Sequence, residues 1–238
     1  MSNSFVISVY SDRYSGYVAA SIGDAKFAEQ CNWTPNYTQT MGLVPLLQHF
    51  TKKIGVDVRS ADTIIAPRGP SPFTIQRVLL TVGKALHFCA PNAQIFAPSN
   101  FHVLTHAAKE RVSEANCFFV LINSYNQGFF GAKFQKEPNI SYMLPGATFY
   151  EGNSGSDFLR SNAERLFVTD FSEEQLERSL IHYVPSENLV RLPPVNLALV
   201  QIDLFESSVV RNDFDYKSLE PYRLHSLAYK KIPSAHFA

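Results

Sequence analysis

Several side-chain groupings in this sequence have the types and spacing for chemistry. His102 and His106 stand four residues apart, which on a helix puts both imidazoles on one face at a metal-ligand spacing. No carboxylate motif later in the chain completes that pair, so no metal ligand is assigned and a helix-surface or capping role is expected for both. Gly152-Asn153-Ser154-Gly155-Ser156 carries a serine between glycines. A nucleophile elbow needs Gly-x-Ser-x-Gly between strand and helix, so this small, polar stretch is predicted to be a flexible loop. Pro67 to Arg77 joins the β-branched run Asp62 to Ala66 to residues of helical period, Ile75, Val78, Leu79, Val82 and Leu86. Ser71 suits the N-cap there and Pro72 the first helical position. A turn of this kind can aim backbone N–H groups at an anion, although it also serves as a plain strand-to-helix junction. Lys52-Lys53 and Lys230-Lys231 could meet RNA phosphates, but lysine pairs on a neutral chain are usually solvated surface.

The elements that would position these groups follow from periodicity. Phe5 to Tyr10, Tyr14 to Ile22 and Ala25 to Cys31 read as an antiparallel meander with tight turns at Ser11-Asp12-Arg13 and Gly23-Asp24. Thr38 to Ile54 sets Leu43, Leu46, Leu47, Phe50 and Ile54 on one helical face, with Pro45 inside. Residues 5–89 therefore read βββαβα. Cys117 to Asn123, Gly128 to Gln135, Ile140 to Leu144 and Arg165 to Asp170 are further strands, and Ser172-Glu173-Glu174-Gln175 opens a helix to about Tyr183. Val195 to Phe205 is a buried helix, and Leu219 to Ile232 forms the tail. Charged residues at 109–111 and 113–114 break the apolar pattern, so one lobe is placed at 1–108 and another at 109–238.

With 238 residues and 45% hydrophobic content the chain can build a sizeable core. Lys plus Arg and Asp plus Glu balance at 21 each, so no global field selects nucleic acid, membrane or an acidic partner. Cys31, Cys89 and Cys117 have no close spacing, which argues against a zinc site and suits a reducing compartment. No secretory start and no run of about 20 apolar residues stands in the sequence, so a cytoplasmic protein is expected.

The βββαβα order is similar to the ribonuclease-H-like half of actin-like ATPase folds, and the second half repeats it. Gly69-Pro70-Ser71-Pro72-Phe73-Thr74-Ile75-Gln76-Arg77, preceded by Arg68, resembles the Gly-Pro-Gly-Ser-Phe-Thr-Gly-x-Arg marker of the TsaB (YeaZ) family. Leu43-Val44-Pro45-Leu46-Leu47 after Thr38-Gln39 is similar to that family's first-helix segment. Asn123 with Gly128 resembles its Asp-Ala-Arg-x-Gly-Glu stretch, and Glu220-Pro221-Tyr222-Arg223-Leu224-His225 with Ala228-Tyr229-Lys230-Lys231 its C-terminal motifs. These matches keep their order from about residue 5 to 232.

The resemblance implies an α/β protein of two ribonuclease-H-like, actin-like lobes, each a mixed sheet flanked by helices. It implies a non-catalytic subunit that pairs with a TsaD-like threonylcarbamoyl transferase, is acted on by a TsaE-like ATPase and reaches tRNA only through that complex. The family's pairing helices map here onto Met41, Val44, Gln48 and Thr51, and onto Gln76, Leu80, Gly83 and His87; a homodimer is the competing state. The family-motif loop is Arg68, Gly69, Pro70, Phe73, Thr74 and Arg77. In the actin-like fold the first strand usually ends in an Asp-Thr pair that helps place a metal-bound phosphate, and here those positions hold Val9 and Tyr10. Ser71 and Ile75 replace marker glycines. ATP hydrolysis by this chain alone is therefore not expected and no cofactor is assigned, ATP or ADP at the complex interface remaining compatible with the resemblance. The alternative is an actin-like-fold enzyme, either a small-molecule kinase or a metal-dependent peptidase.

Overall fold

The computed structural model describes residues 4–33, 39–124, 128–137, 140–143, 147–171, 182–192 and 194–207. Two mixed sheets form from strands whose alternate residues face opposite ways. The first has the order β3-β2-β1-β4-β5, from β1 (Phe5–Ser11), β2 (Ser15–Ile22), β3 (Ala25–Asn32), β4 (Thr63–Ile65) and β5 (Gln94–Phe96). The second has the order β11-β10-β6-β7-β8, from β6 (Cys117–Asn123), β7 (Phe129–Glu137), β8 (Ile140–Met143), β10 (Leu166–Thr169) and β11 (Leu189–Arg191), while β9 (Thr148–Tyr150) also pairs with β7. In each sheet the meander is antiparallel and the later strands run parallel to the first strand of the meander. The second sheet thus repeats the first.

Helices α1 (Gln39–Ile54) and α2 (Phe73–Cys89) cover one face of the first sheet. Phe5, Ile7 and Val9 of β1 point into that layer with Leu43, Phe50, Ile75 and Leu79, while Val6 and Tyr10 point to the opposite face. The alternation of a single apolar strand therefore feeds two cores. Pro45 lies in the second turn of α1, inside the helix rather than ahead of it.

Between the sheets lie α3 (Asn100–Ala107) and α5 (Leu197–Glu206); α4 (Gly152–Ser161) follows β9. Phe101, Leu104 and Ala108 join the core of the second sheet, whereas Val103 and Ala107 join that of the first. The residues just before the expected lobe division are thus shared by both sheets. α5 packs on β1, β2 and α3, and is apolar nearly all round because neighbours enclose it. Its Lys26 contacts, to Asp203 at 2.7 Å and Glu206 at 2.6 Å, fasten the edge strand β3 to it.

Two sequence expectations are corrected. Gly152 to Ser156 is the first turn and a half of α4, not a loop: Glu151 and Ser154 form a reciprocal capping box, and Gly155 is buried against Phe129. Ser71 does not cap α2; the helix starts one residue later, with Pro72 at the N-cap and no side-chain cap. The short strands β5, β9 and β11, of three residues each, carry too little periodicity to be read from sequence. The predicted helix at 172–183 lies mostly, and the tail at 219–232 entirely, outside the described residues.

Candidate functional site

The family-motif loop is built as a fastened corner. Arg68 donates its N–H to Pro98 at 3.0 Å, Asn100 donates its N–H to Gly69 at 2.8 Å and its side-chain amide to Pro70 at 2.9 Å, and Gln76 donates to the Arg68 carbonyl at 2.9 Å. Pro70, after a cis bond from Gly69, and Pro72 have no N–H to offer. The loop thus spends the Arg68 N–H and the Arg68, Gly69 and Pro70 carbonyls on holding α2 and α3. Gly69 has φ of +94°, and a Cβ there would lie 2.8 Å from the Gln76 amide nitrogen. Gly69→Ala is expected to cost about 1–2 kcal/mol, read as a lower urea midpoint, because only glycine adopts this backbone without strain.

The residues assigned to partner binding divide into two sets. Val44 and Gln48 of α1 are exposed, Val44 by 46%. Gln76 and His87 are half-buried, and the side chain of Met41 lies outside the described residues. Thr51, Leu80 and Gly83 are buried, with the Thr51 hydroxyl donating to Leu47 at 3.0 Å. This corrects the chosen face: α2 packs on β1, β4 and α1 together, so its buried arc is wider than a single stripe and takes in Leu80. The outward arc of α2 instead holds Phe73, Thr74, Arg77, Thr81 and Phe88. Phe73 is 58% and Phe88 87% exposed, and the Arg77 guanidinium lies 5.2 Å over the Phe73 ring. Between this arc and α1 runs a groove of about 460 Å³ lined by Leu43, Val44, Thr74, Arg77, Val78, Thr81 and Val82.

The histidine pair is not at a helix surface. Ser99 caps α3, and its hydroxyl meets His102 Nδ1 at 2.5 Å. His102 is buried with its ring edge-on to Phe134 at 5.5 Å, and burial, with the Arg68 charge behind it, lowers its pKa to about 4. His106 is half-buried, and burial followed by the Lys109 charge holds it low as well. Both rings are kept neutral. Among the described residues no three His, Cys, Asp or Glu side chains come together.

Two carboxylates that sequence reasoning passed over meet in the cleft between the sheets. Asp12 sits in the β1–β2 turn, where its Oδ1 accepts the Tyr14 and Ser15 N–H groups, each at 2.7 Å, and its Oδ2 accepts the Tyr17 hydroxyl at 2.8 Å. Burial raises its pKa against the pull of those donors, and raises that of Tyr17. Asp170 follows β10 and accepts the Asn123 N–H at 2.9 Å. Burial, with the Asp12 charge adding, pushes it up to about 7. Val9 and Tyr10, where the fold's usual phosphate-placing pair would fall, are both buried in the sheet. The signal available beforehand was an aspartate at the end of two apolar runs, Asp12 just past Phe5 to Tyr10 and Asp170 closing Arg165 to Asp170.

Neither a family model nor a curated protein matches the sequence. Among solved structures, YeaZ from Pseudomonas aeruginosa superposes with a TM-score of 0.65, covering 93% of this chain and 100% of that one at 16% identity. A structure described as an uncharacterized protein with similarity to peptidase YEAZ from Pseudomonas aeruginosa agrees to the same degree, with a TM-score of 0.65 at 16% identity, covering 93% of this chain and 99% of the other. Likeness over nearly the whole of both chains, on the duplicated 3-2-1-4-5 sheets described above, gives this protein the two-lobed actin-like fold of YeaZ (TsaB).

Proposed function

We propose that the chain is a non-catalytic partner subunit, which binds a TsaD-like threonylcarbamoyl transferase and supports formation of threonylcarbamoyladenosine in tRNA. The observation that carries this reading is the α1–α2 face: an open groove of about 460 Å³ flanked by the exposed side chains of Val44 and Phe73. Apolar side chains gathered on one face are what a docking surface requires and what a freely soluble helix pair avoids. The YeaZ-like fold, with its motif loop launching α2, supports the choice of partner. In this reading the partner supplies the chemistry and the RNA contact, in keeping with a chain of zero net charge. A TsaE-like ATPase acts on the pair. Mixing the chain with the TsaD-like subunit of the same source should give a one-to-one heterodimer by light scattering at micromolar concentration. Two separate species at that concentration would refute the pairing.

A second reading, an actin-like-fold enzyme, rests on Asp12 and Asp170 in the cleft. A kinase of this fold would turn over ATP with magnesium, and a peptidase would carry zinc or iron. We expect neither, measured as phosphate release and as metal content of the purified chain.

A further inference from the structure

We propose that the cleft between the two sheets holds one hard divalent cation, of the magnesium or calcium class, between the carboxylates of Asp12 and Asp170, with Ser71 and Asn100 as neutral oxygen donors. All four line one cavity of about 30 Å³, room for a single ion or water; Asp12 and Asp170 also border an adjoining cavity of about 330 Å³ that Arg191 lines. They reach it from four separate segments: the β1–β2 turn, the loop before α2, the start of α3 and the end of β10.

Two of the donors are the independent sign. Ser71 is 7% exposed and Asn100 2%, and neither Ser71 Oγ nor Asn100 Oδ1 has a hydrogen-bond partner among the described residues. A buried oxygen left without a partner is destabilising, and an occupant of the cavity would remove that cost. Their direction is fixed by their surroundings. The Asn100 amide nitrogen is held on the Pro70 carbonyl, which leaves the oxygen as the free end. Ser71 stands outside α2 and takes no part in capping it.

The carboxylates are oriented in the same manner. Three donors fix Asp12 and the Asn123 N–H fixes Asp170; Asp12 Oδ1 is filled by two N–H groups, so its Oδ2, which accepts only the Tyr17 hydroxyl, is the oxygen with a lone pair left for a cation. Two such groups facing one cavity repel each other, and a divalent charge between them reverses the sign of that interaction. Among the described residues that line this cavity the cationic side chain is Arg13, which is exposed, with its guanidinium 5.7 Å over the Tyr14 ring. An all-oxygen donor set without histidine or cysteine selects magnesium or calcium over zinc. The site shares no lining residue with the α1–α2 groove, so it stands or falls separately from partner binding.

The test uses Mn²⁺ as an electron-paramagnetic probe on the isolated full chain after EDTA treatment and desalting. Uptake of one Mn²⁺ per chain is expected, with a Kd of about 10⁻⁴–10⁻³ M, displaced by Mg²⁺ or Ca²⁺. Asp170→Asn should weaken uptake by at least about tenfold. Ser71→Ala, whose hydroxyl makes no hydrogen bond that the fold needs, should weaken it by a smaller factor with unchanged circular dichroism. No uptake, or uptake that both variants leave unchanged, would overturn the proposal and leave the cavity to water; if Asp170→Asn fails to fold, Ser71→Ala decides alone.

Discussion

A chain carrying Val44→Asp together with Thr81→Glu should fold as the wild type does and lose its TsaD-like partner. Both side chains are exposed, so the substitutions touch no buried contact of the chain itself and should shift stability by less than about 0.5 kcal/mol. In the complex both carboxylates would be desolvated in a groove whose lining holds one charged side chain, Arg77, so at least one of them is left unpaired. Such a pair should weaken association by at least about 100-fold, close to 3 kcal/mol, because hot spots lie in desolvated pockets that tolerate no unpaired charge. Each single change should give roughly a tenth of that loss factor. Charged substitutions at Leu80 or Gly83 cannot serve here: both positions are buried within the chain, so a lost complex would only report a damaged fold. Titration calorimetry, with circular dichroism as the folding control, measures the difference.

The second large effect concerns Asp170 and pH. A carboxyl held at about 7 in the folded chain, against 3.8 when unfolded, keeps its proton longer in the fold. The folded state binds more protons between these values, so this group's contribution is intact below about pH 4 and is lost as pH rises through about 7. The displacement sets a ceiling of about 4 kcal/mol, and solvent reaching the cleft reduces the expected loss to about 1–3 kcal/mol. His102 acts in the opposite sense. Its pKa of about 4, below 6.5, gives stability that is present above about pH 6.5 and lost as pH falls. The two contributions oppose each other in the wild type and flatten its profile. Asp170→Asn removes one of them and keeps an acceptor for the Asn123 N–H. Its urea midpoint, measured in EDTA, should match the wild type near about pH 4.5 and exceed it clearly near about pH 7.5. A variant no more stable than the wild type at the higher pH would show that Asp170 is not a strained carboxylate.

How far the sequence spoke for itself depended on how much one stretch of chain could encode. β1, β2, β3, β6 and α1 were legible because each is long enough for its alternation or helical period to stand out. β5, β9 and β11 were not, since three residues have no period and owe their state to the neighbour they pair with. The start of α4 reads as a loop in sequence because two of its first five residues are glycines and two are serines, all poor helix formers; the capping box and the packing of Gly155 on Phe129 override that. Leu80 was read as outward from a single-stripe helix, whereas a helix wedged between a sheet and another helix buries two stripes. Asp12 and Asp170 lie 158 positions apart in the sequence, and only the pairing of β10 with β6 and the meeting of the lobes bring them to one cavity. The motif loop pointed to the fold that the structure has, and its hydrogen bonds fasten α2 to α3.

The central claim is that this chain works through its α1–α2 face and not through its cleft. The direct measurement is threonylcarbamoyladenosine formed on tRNA in a reconstituted system of the TsaD-like subunit, the TsaE-like ATPase and this chain, comparing Val44→Asp/Thr81→Glu with Asp12→Asn. The surface variant should abolish both heterodimer and product, while the cleft variant, once shown to be folded, should support both at the wild-type level. Full product from the surface variant, or loss of product with an intact heterodimer in the cleft variant, would contradict it.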